Sequence, residues 1–329
     1  MLRVHFTETD VARTVVAPAA DPLWEVLLSG FRLRERDRLP IFEPWARGVR
    51  SDPRARERMG PGAGMLAALA PAARYFPDFL TPPESRDGLA EGLAALAATS
   101  SADLRAQLAR LNAVTPVPGW IRPLADGDRD LLAEIAGALA GYHDAVIGPC
   151  ADLVQSAIDA DRSLRAQQFL TDGIDGVLTG IGPVTHWRDL VLEVEHAVDQ
   201  DLYLRGRGLR LVPSFFCGAT ACTLADPELP PVLIYPIDAG CRWAHAVASR
   251  HALRTLIGAT RATVLAAIGP GATTTELARR AGTSPASASK HTAVLRDCGL
   301  LTTRREGMAV VHNVTPLGEA LLDHHRGGR

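Results

Sequence analysis

Between Thr273 and Arg305 the sequence gathers side chains that bind rather than react. Thr273 stands three residues before Glu276, then Thr283, Ser284, Ala286, Ser287, Ser289 and Lys290 follow close together, and Arg304 and Arg305 are adjacent. Hydroxyls and an ammonium set among small side chains can bond base edges and phosphate oxygens at close range, and guanidinium groups fork onto phosphate. Other candidate chemistry is sparser. Asp189, Glu193 and His196 would share one face of a helix drawn from Trp187 to Leu202 and could hold a metal ion. The plainer reading, with Val191, Val194, Val198 and Leu202 opposite, is an amphipathic helix with a solvated charged side. Cys217 and Cys222 could be a redox pair or part of a metal site, or simply buried thiols. His143-Asp144 has no nucleophile in a G-x-S-x-G turn to serve. Gly206-Arg207-Gly208 starts like a phosphate loop but runs into a strand where a helix should begin. Trp24, Trp45, Trp120, Trp187 and Trp243 could line a ligand pocket or fill a core.

The groups near the C-terminus need elements to position them, and the spacing supplies a set. A helix carries Leu253, Leu256, Ile257, Val264, Leu265 and Ile268, with a break near Gly258, and Gly269-Pro270-Gly271 ends it. Thr273-Thr274-Thr275-Glu276 has the form of a capping box, which starts a short helix through Leu277, Ala278 and Ala281. Gly282-Thr283 turns the chain, and Ser284-Pro285 opens the next helix as N-cap and first residue. On that helix Ala288, Thr292 and Leu295 form an inward stripe, Ala286, Lys290 and Ala293 point the opposite way, and Ser287 and Ser289 flank them. Small exposed side chains let such a helix sit deep in a major groove. Cys298-Gly299 closes it, and Leu300 to Val314 reads as a two-stranded hairpin with Gly307 in its turn and Arg304 and Arg305 near its tip. Helix, short helix, exposed helix and ribbon in this order make a winged helix-turn-helix.

The segment from Leu253 to Leu322 resembles an ArsR-type (ArsR/SmtB-like) winged-helix transcriptional regulator. The stretches that carry the resemblance are Leu256 to Leu265, Thr275 to Gly282, Ser284 to Lys290 continuing through Val294 to Leu300, and Arg304-Arg305-Glu306-Gly307. It implies sequence-specific binding of double-stranded DNA by a homodimer on an inverted repeat, usually for repression. The metal-sensing members carry a cysteine-rich box on the helix before the recognition helix, whereas Thr274 to Arg279 holds no cysteine. No metal and no cofactor are therefore expected, and Cys298 reads as a core thiol at the buried end of the recognition helix. The region ahead of this module resembles, in layout only, a long N-terminal region of unknown function found in actinobacterial regulators.

Composition fits this division. The 329 residues are 47% hydrophobic with a net charge of −2, enough apolar material for two packed domains. The total conceals a polarity. Residues 248–329 hold eleven basic groups against five acidic, a balance of +6, while the rest holds 24 against 32, a balance of −8. Lys290 is the only lysine. The expected fold class is mainly α with small β elements (α+β). A helix-rich region at 1–243, with a short β-hairpin near 208–236, precedes a winged helix-turn-helix at 244–329. Helices are expected from Leu23 to Phe31, Met65 to Phe79, Gly88 to Ala98, Ala102 to Leu111, Asp128 to Ile147 and Ala151 to Leu170, and a loop from Pro53 to Gly64. The first residues lack the pattern of a secretory signal, and no uncharged apolar stretch reaches the ~18 residues of a membrane span. The expectation is a cytoplasmic protein without membrane contact. Two functions follow. One is a regulator whose N-terminal region senses an apolar small molecule or adds dimer contacts. The other is an enzyme domain fused to an autoregulatory winged helix, which the missing nucleophile elbow, phosphate loop and metal grid disfavour.

Overall fold

A computed structural model describes residues 1–35, 40–71, 75–238, 241, 257–269, 271–306, 309–318 and 322. Leu253, Leu256, Pro270, Gly307 and Trp243, all used in the sequence reading, lie outside them. The fold is mainly helical with small sheets, and the chain divides into two compact units, Met1–Arg242 and Trp243–Arg329.

The N-terminal unit begins with β1 (Leu2–His5), α1 (Glu8–Arg13), β2 (Val15–Val16) and α2 (Pro22–Arg34). Asp21 caps α2 by accepting the Trp24 N–H, with Pro22 in the first turn. α3 (Glu43–Ser51) and α4 (Pro53–Leu69) follow. α4 replaces the expected loop, and the helix expected to reach Phe79 stops at Leu69. Glycine and proline there serve packing rather than a turn. Asp52 caps the helix with Pro53 behind it, and Gly62 lies so close to a later helix that an added Cβ would sit 2.5 Å from the Ala138 carbonyl oxygen. That helix is α8 (Arg129–Val146), reached through α5 (Leu89–Ala97), α6 (Ser101–Val114) and the short α7 (Arg122–Ala125). α9 (Ala151–Thr179) is broken at Gly173, whose φ of +64° and ψ of −152° leave the helical region.

The helix drawn from Trp187 to Leu202 does not form. The chain there makes β3 (Val184–Arg188), β4 (Val191–Val194) and β5 (Gln200–Tyr203), with Asp189 and Leu190 at positive φ in the β3–β4 turn. Leu192 and Val194 are buried at a period of two, and their partners are Val4 and Leu2 at the chain start. β1 runs antiparallel to β4 and parallel to β5, giving the order β3-β4-β1-β5. The expected hairpin near 208–236 is also corrected. Its strands, β6 (Arg210–Ser214) and β7 (Val232–Pro236), exist but run parallel, in a sheet of order β2-β6-β7. The segment between them is long enough to carry the chain back to the same end before β7 starts.

Buried carboxylates fasten this β segment to the helices. Asp10 accepts the Gly208 N–H, Glu25 those of Phe215 and Phe216, Asp78 those of Ala225 and Asp226, and Asp161 that of Asp238 together with the Tyr235 hydroxyl. Burial pushes the Asp21 and Asp78 carboxyls up, against the hydrogen bonds they accept. Asp10 is also opposed by burial, yet bonds from Thr7 and Gly208 hold it below the usual value.

The C-terminal unit contains α10 (Ala259–Ala267), β8 (Ala272–Thr273), α11 (Thr274–Arg280), α12 (Pro285–Asp297), β9 (Leu301–Glu306) and β10 (Ala309–Val314). Gly258, at a φ of +85°, makes the break before α10. The strands form one antiparallel sheet of order β8-β10-β9. Val264, Leu265, Ile268, Leu277, Leu295 and Leu301 lie in its core.

Candidate nucleic-acid interface

α11 and α12 start on well-formed caps. Thr273 Oγ1 accepts the Glu276 N–H at 3.3 Å, while the Glu276 carboxylate accepts the Thr273 N–H at 2.9 Å and its hydroxyl at 3.1 Å. The Thr273 backbone and side-chain bonds hold the Glu276 carboxyl below its ordinary value. Thr273 is thus engaged within its own helix start. The turn to α12 follows through Gly282, at a φ of +62°, and the half-buried Thr283, whose N–H donates to Ala278.

On α12 the stripe drawn from the sequence is the packed one: Ala288, Thr292 and Leu295 are buried. Ser284 accepts the Ser287 N–H at 3.2 Å and remains exposed at the helix N-terminus, where the helix dipole favours an anion. Ala286, Ser289 and Lys290 are exposed and Ser287 is half-buried. Lys290 makes no hydrogen bond or ion pair among the described residues. Thus Ser284, Ala286, Ser289 and Lys290 share a solvent-facing region of one helix.

Arg304 and Arg305 are both exposed on β9 but do not act as one patch. Arg305 lies opposite Val310 and Arg304 opposite Val311, so the two leave the ribbon on opposite faces. Arg305 is on the face of Thr303 and the buried His312, and Arg304 on the face of Thr302 and Asn313.

Two residues depart from the sequence reading. Cys298 is exposed, not a core thiol. It caps α12, and Gly299, at a φ of +70°, turns the chain so that Leu300 goes inward, its N–H bonding the Leu295 carbonyl. His312 was not singled out by any motif. Its ring bridges Thr274 Oγ1 and Thr303 Oγ1 at 3.0 Å each, tying the start of α11 to the sheet. Burial and then Arg296 lower its affinity for a proton. Arg279 adds a cation that the pattern did not isolate, exposed on α11 without a hydrogen bond or ion pair among the described residues. Arg280, by contrast, donates to the Ala267 and Ile268 carbonyls at the end of α10.

No protein-family model, no curated protein and no solved structure matches this chain.

The other candidate chemistries resolve as follows. Asp189 sits in a turn, Glu193 on a strand and His196 beyond it, so the helical face proposed for a metal does not exist. Among the described residues no group of three His, Cys, Asp or Glu could hold a metal ion. Cys217 is buried, with its thiol directed to the Thr220 carbonyl, and Cys222 is half-buried. The Cys217 thiol also bonds Cys222 and, despite burial, draws the Cys222 thiol below its usual value. Arg58 reaches Asp144, which leaves His143-Asp144 a surface pair. Gly206 and Gly208 both take positive φ in the turn before β6. Trp24 is buried and Trp120 exposed, while Trp45 and Trp187 are half-buried. Among the described residues no helix is long and apolar enough to cross a membrane.

Proposed function

We propose that the protein is a sequence-specific DNA-binding transcriptional regulator, a repressor, whose C-terminal unit is a winged helix-turn-helix of ArsR type and whose N-terminal unit carries the signal input. The observation that carries the reading is α12. Its buried face anchors it, while a small, hydroxyl-bearing and singly cationic face stands open to solvent from its N-terminus. Bulky side chains there would hold a helix away from base edges, and alanines and serines do not. Ser287, Ser289 and Lys290 are assigned to base contacts, Ser284 and Thr283 to phosphate at the helix start, and the β9–β10 ribbon, with Arg304 and Arg305, to the flanking backbone. Thr273 contributes by holding α11 rather than by touching DNA. The protein acts as a homodimer on an inverted repeat, and an effector in the N-terminal unit shifts the population of the DNA-competent dimer.

The test is a gel shift and footprint on the DNA upstream of the protein's own gene and its neighbours at physiological salt. Protection of a palindromic site is expected, with Arg305→Ala weakening binding to all sequences and lowering the salt slope by about 1. Binding that is absent, or indifferent to sequence, overturns the reading.

A further inference from the structure

Cys222 is half-buried and, with Thr220, lines a cavity of about 460 Å³ in the N-terminal unit. Behind it Cys217 is fully buried, its sulfur 3.4 Å from the Thr220 carbonyl oxygen and its N–H on Ser214 Oγ at 3.1 Å. The two cysteines converge on one residue of β7. The Cys222 N–H donates to the Ile234 carbonyl at 2.9 Å and the Cys222 carbonyl accepts the Ile234 N–H at 2.8 Å, while the Cys217 sulfur lies 3.9 Å from that same Ile234 oxygen. The Cys217 thiol also bonds the Cys222 side chain. Two thiols in hydrogen-bond contact, on a turn held at both ends, need little backbone movement to be bridged.

The surroundings favour the thiolate of Cys222. The bond from Cys217 holds the Cys222 thiol below its ordinary 9.0, against the pull of burial, and the Arg32 guanidinium acts in the same direction. Arg32 reaches this turn because Gly218 is bare: a Cβ there would stand 3.0 Å from Arg32 Nη1. Glu35 takes the same guanidinium at 2.7 Å, which fixes the cation in place. No carboxylate is among the described residues that line the cavity. The remaining thiols differ. Burial pushes Cys150 up to about 12 and raises Cys241 as well, and Cys298 stands exposed in the C-terminal unit. A partly accessible cysteine of lowered proton affinity, backed by a second thiol, has the character of a peroxide-reactive pair.

We propose that Cys222 and Cys217 form a redox modification site, which hydrogen peroxide entering by the cavity converts to a disulfide. The Cys222 thiolate attacks one peroxide oxygen: an S–O bond forms, the O–O bond breaks, and the hydroxide released takes up a proton as water. Cys217 then attacks the sulfenic acid, so that an S–S bond replaces the S–O bond and the Cys217 proton leaves with the hydroxyl as a second water. Two thiols are oxidised to one disulfide, and one peroxide is reduced to two waters. The site stands whether or not the C-terminal unit binds DNA.

The test is hydrogen peroxide added to the reduced full chain, followed by thiol counting after denaturation and by peptide mass mapping. Two thiols should be lost per chain and restored by dithiothreitol. The bridge should map to Cys217 and Cys222 and form about tenfold or more faster than Cys298 is oxidised. Cys217→Ala should stop at a sulfenic acid on Cys222, trapped by dimedone, and Cys222→Ala should leave Cys217 unoxidised. Alkylation of Cys222 in the parent chain by iodoacetamide needs no cysteine variant to fold. Its rate against pH should have a midpoint below 9.0, and Arg32→Gln should raise that midpoint. The proposal is overturned by a bridge that involves Cys241 or Cys298 instead, by oxidation of the pair no faster than that of Cys298, or by an alkylation midpoint at or above 9.0.

Discussion

Asp10, Asp21, Glu25, Asp78 and Asp161 of the N-terminal unit are each more than nine-tenths buried, whereas Lys290 and Arg305 of the C-terminal unit stand in solvent. The first group is surrounded by oriented donors, such as the Phe215 and Phe216 N–H groups on Glu25, and each carboxylate accepts at least one bond from a segment far away in the chain. A buried charge must be matched where it lies, because desolvation penalises it otherwise. An exposed charge carries no such requirement and remains available to a partner molecule. The −8 of residues 1–247 is thus partly an internal, structural quantity, while the +6 beyond it includes cations open to an external anion.

The contrast can be broken most sharply at Asp161. Its carboxylate takes the Arg165 guanidinium at 2.9 Å, the Tyr235 hydroxyl at 2.7 Å and the Asp238 N–H at 3.0 Å, and both members of the ion pair are almost fully enclosed. Asp161→Ala strands the arginine, and urea unfolding should show a loss of about 3–5 kcal/mol. A loss below ~1 kcal/mol would mean that buried charge is not structural in this unit.

His312 gives a smaller effect and shows that the C-terminal unit also buries a titratable group. Its proton affinity is lowered in the folded state from the ordinary 6.5, so the unfolded chain binds the proton first. The stability it confers is therefore complete above that value and is lost as pH falls below it towards the folded-state value. Hydrogen exchange at the β9 and β10 amides should accelerate relative to α8 as pH is lowered through that window, after correction for the intrinsic rates. His312→Gln should flatten this relative change. An equal change in parent and variant would remove the histidine from the account.

The smallest effect on stability belongs to Lys290. Lys290→Gln should leave unfolding within ~0.5 kcal/mol of the parent while altering sequence preference in a binding-site selection. A large stability loss would place the lysine with the structural charges of the other unit.

What the residues made legible was short in range. The Thr273 and Glu276 box, the Ser284 cap and the packed face of Ala288, Thr292 and Leu295 all follow from contacts within one or two helical turns. Leu23, Trp24 and Leu27 likewise marked α2 by spacing alone. The errors arose where a distant partner decides. Val191 to Val194 became a strand because Leu2 to His5 pairs with it, although the two are far apart in the chain. Pro53 to Gly64 became helical because α8 receives the bare face of Gly62. Cys298, expected in the core, ends α12 exposed, and His312, on which the pattern gave no reading, is enclosed by two threonines from separate elements.

The sequence by itself determined the helical majority, the caps that start α11 and α12, and the polarity of charge along the chain, because propensity, capping and composition act over a few residues or none. Tertiary structure alone decided that β6 and β7 run parallel and that Val191–Val194 pairs with Leu2–His5. Strand direction and pairing depend on segments far apart in the chain, and no residue carries a local signal of its distant partner.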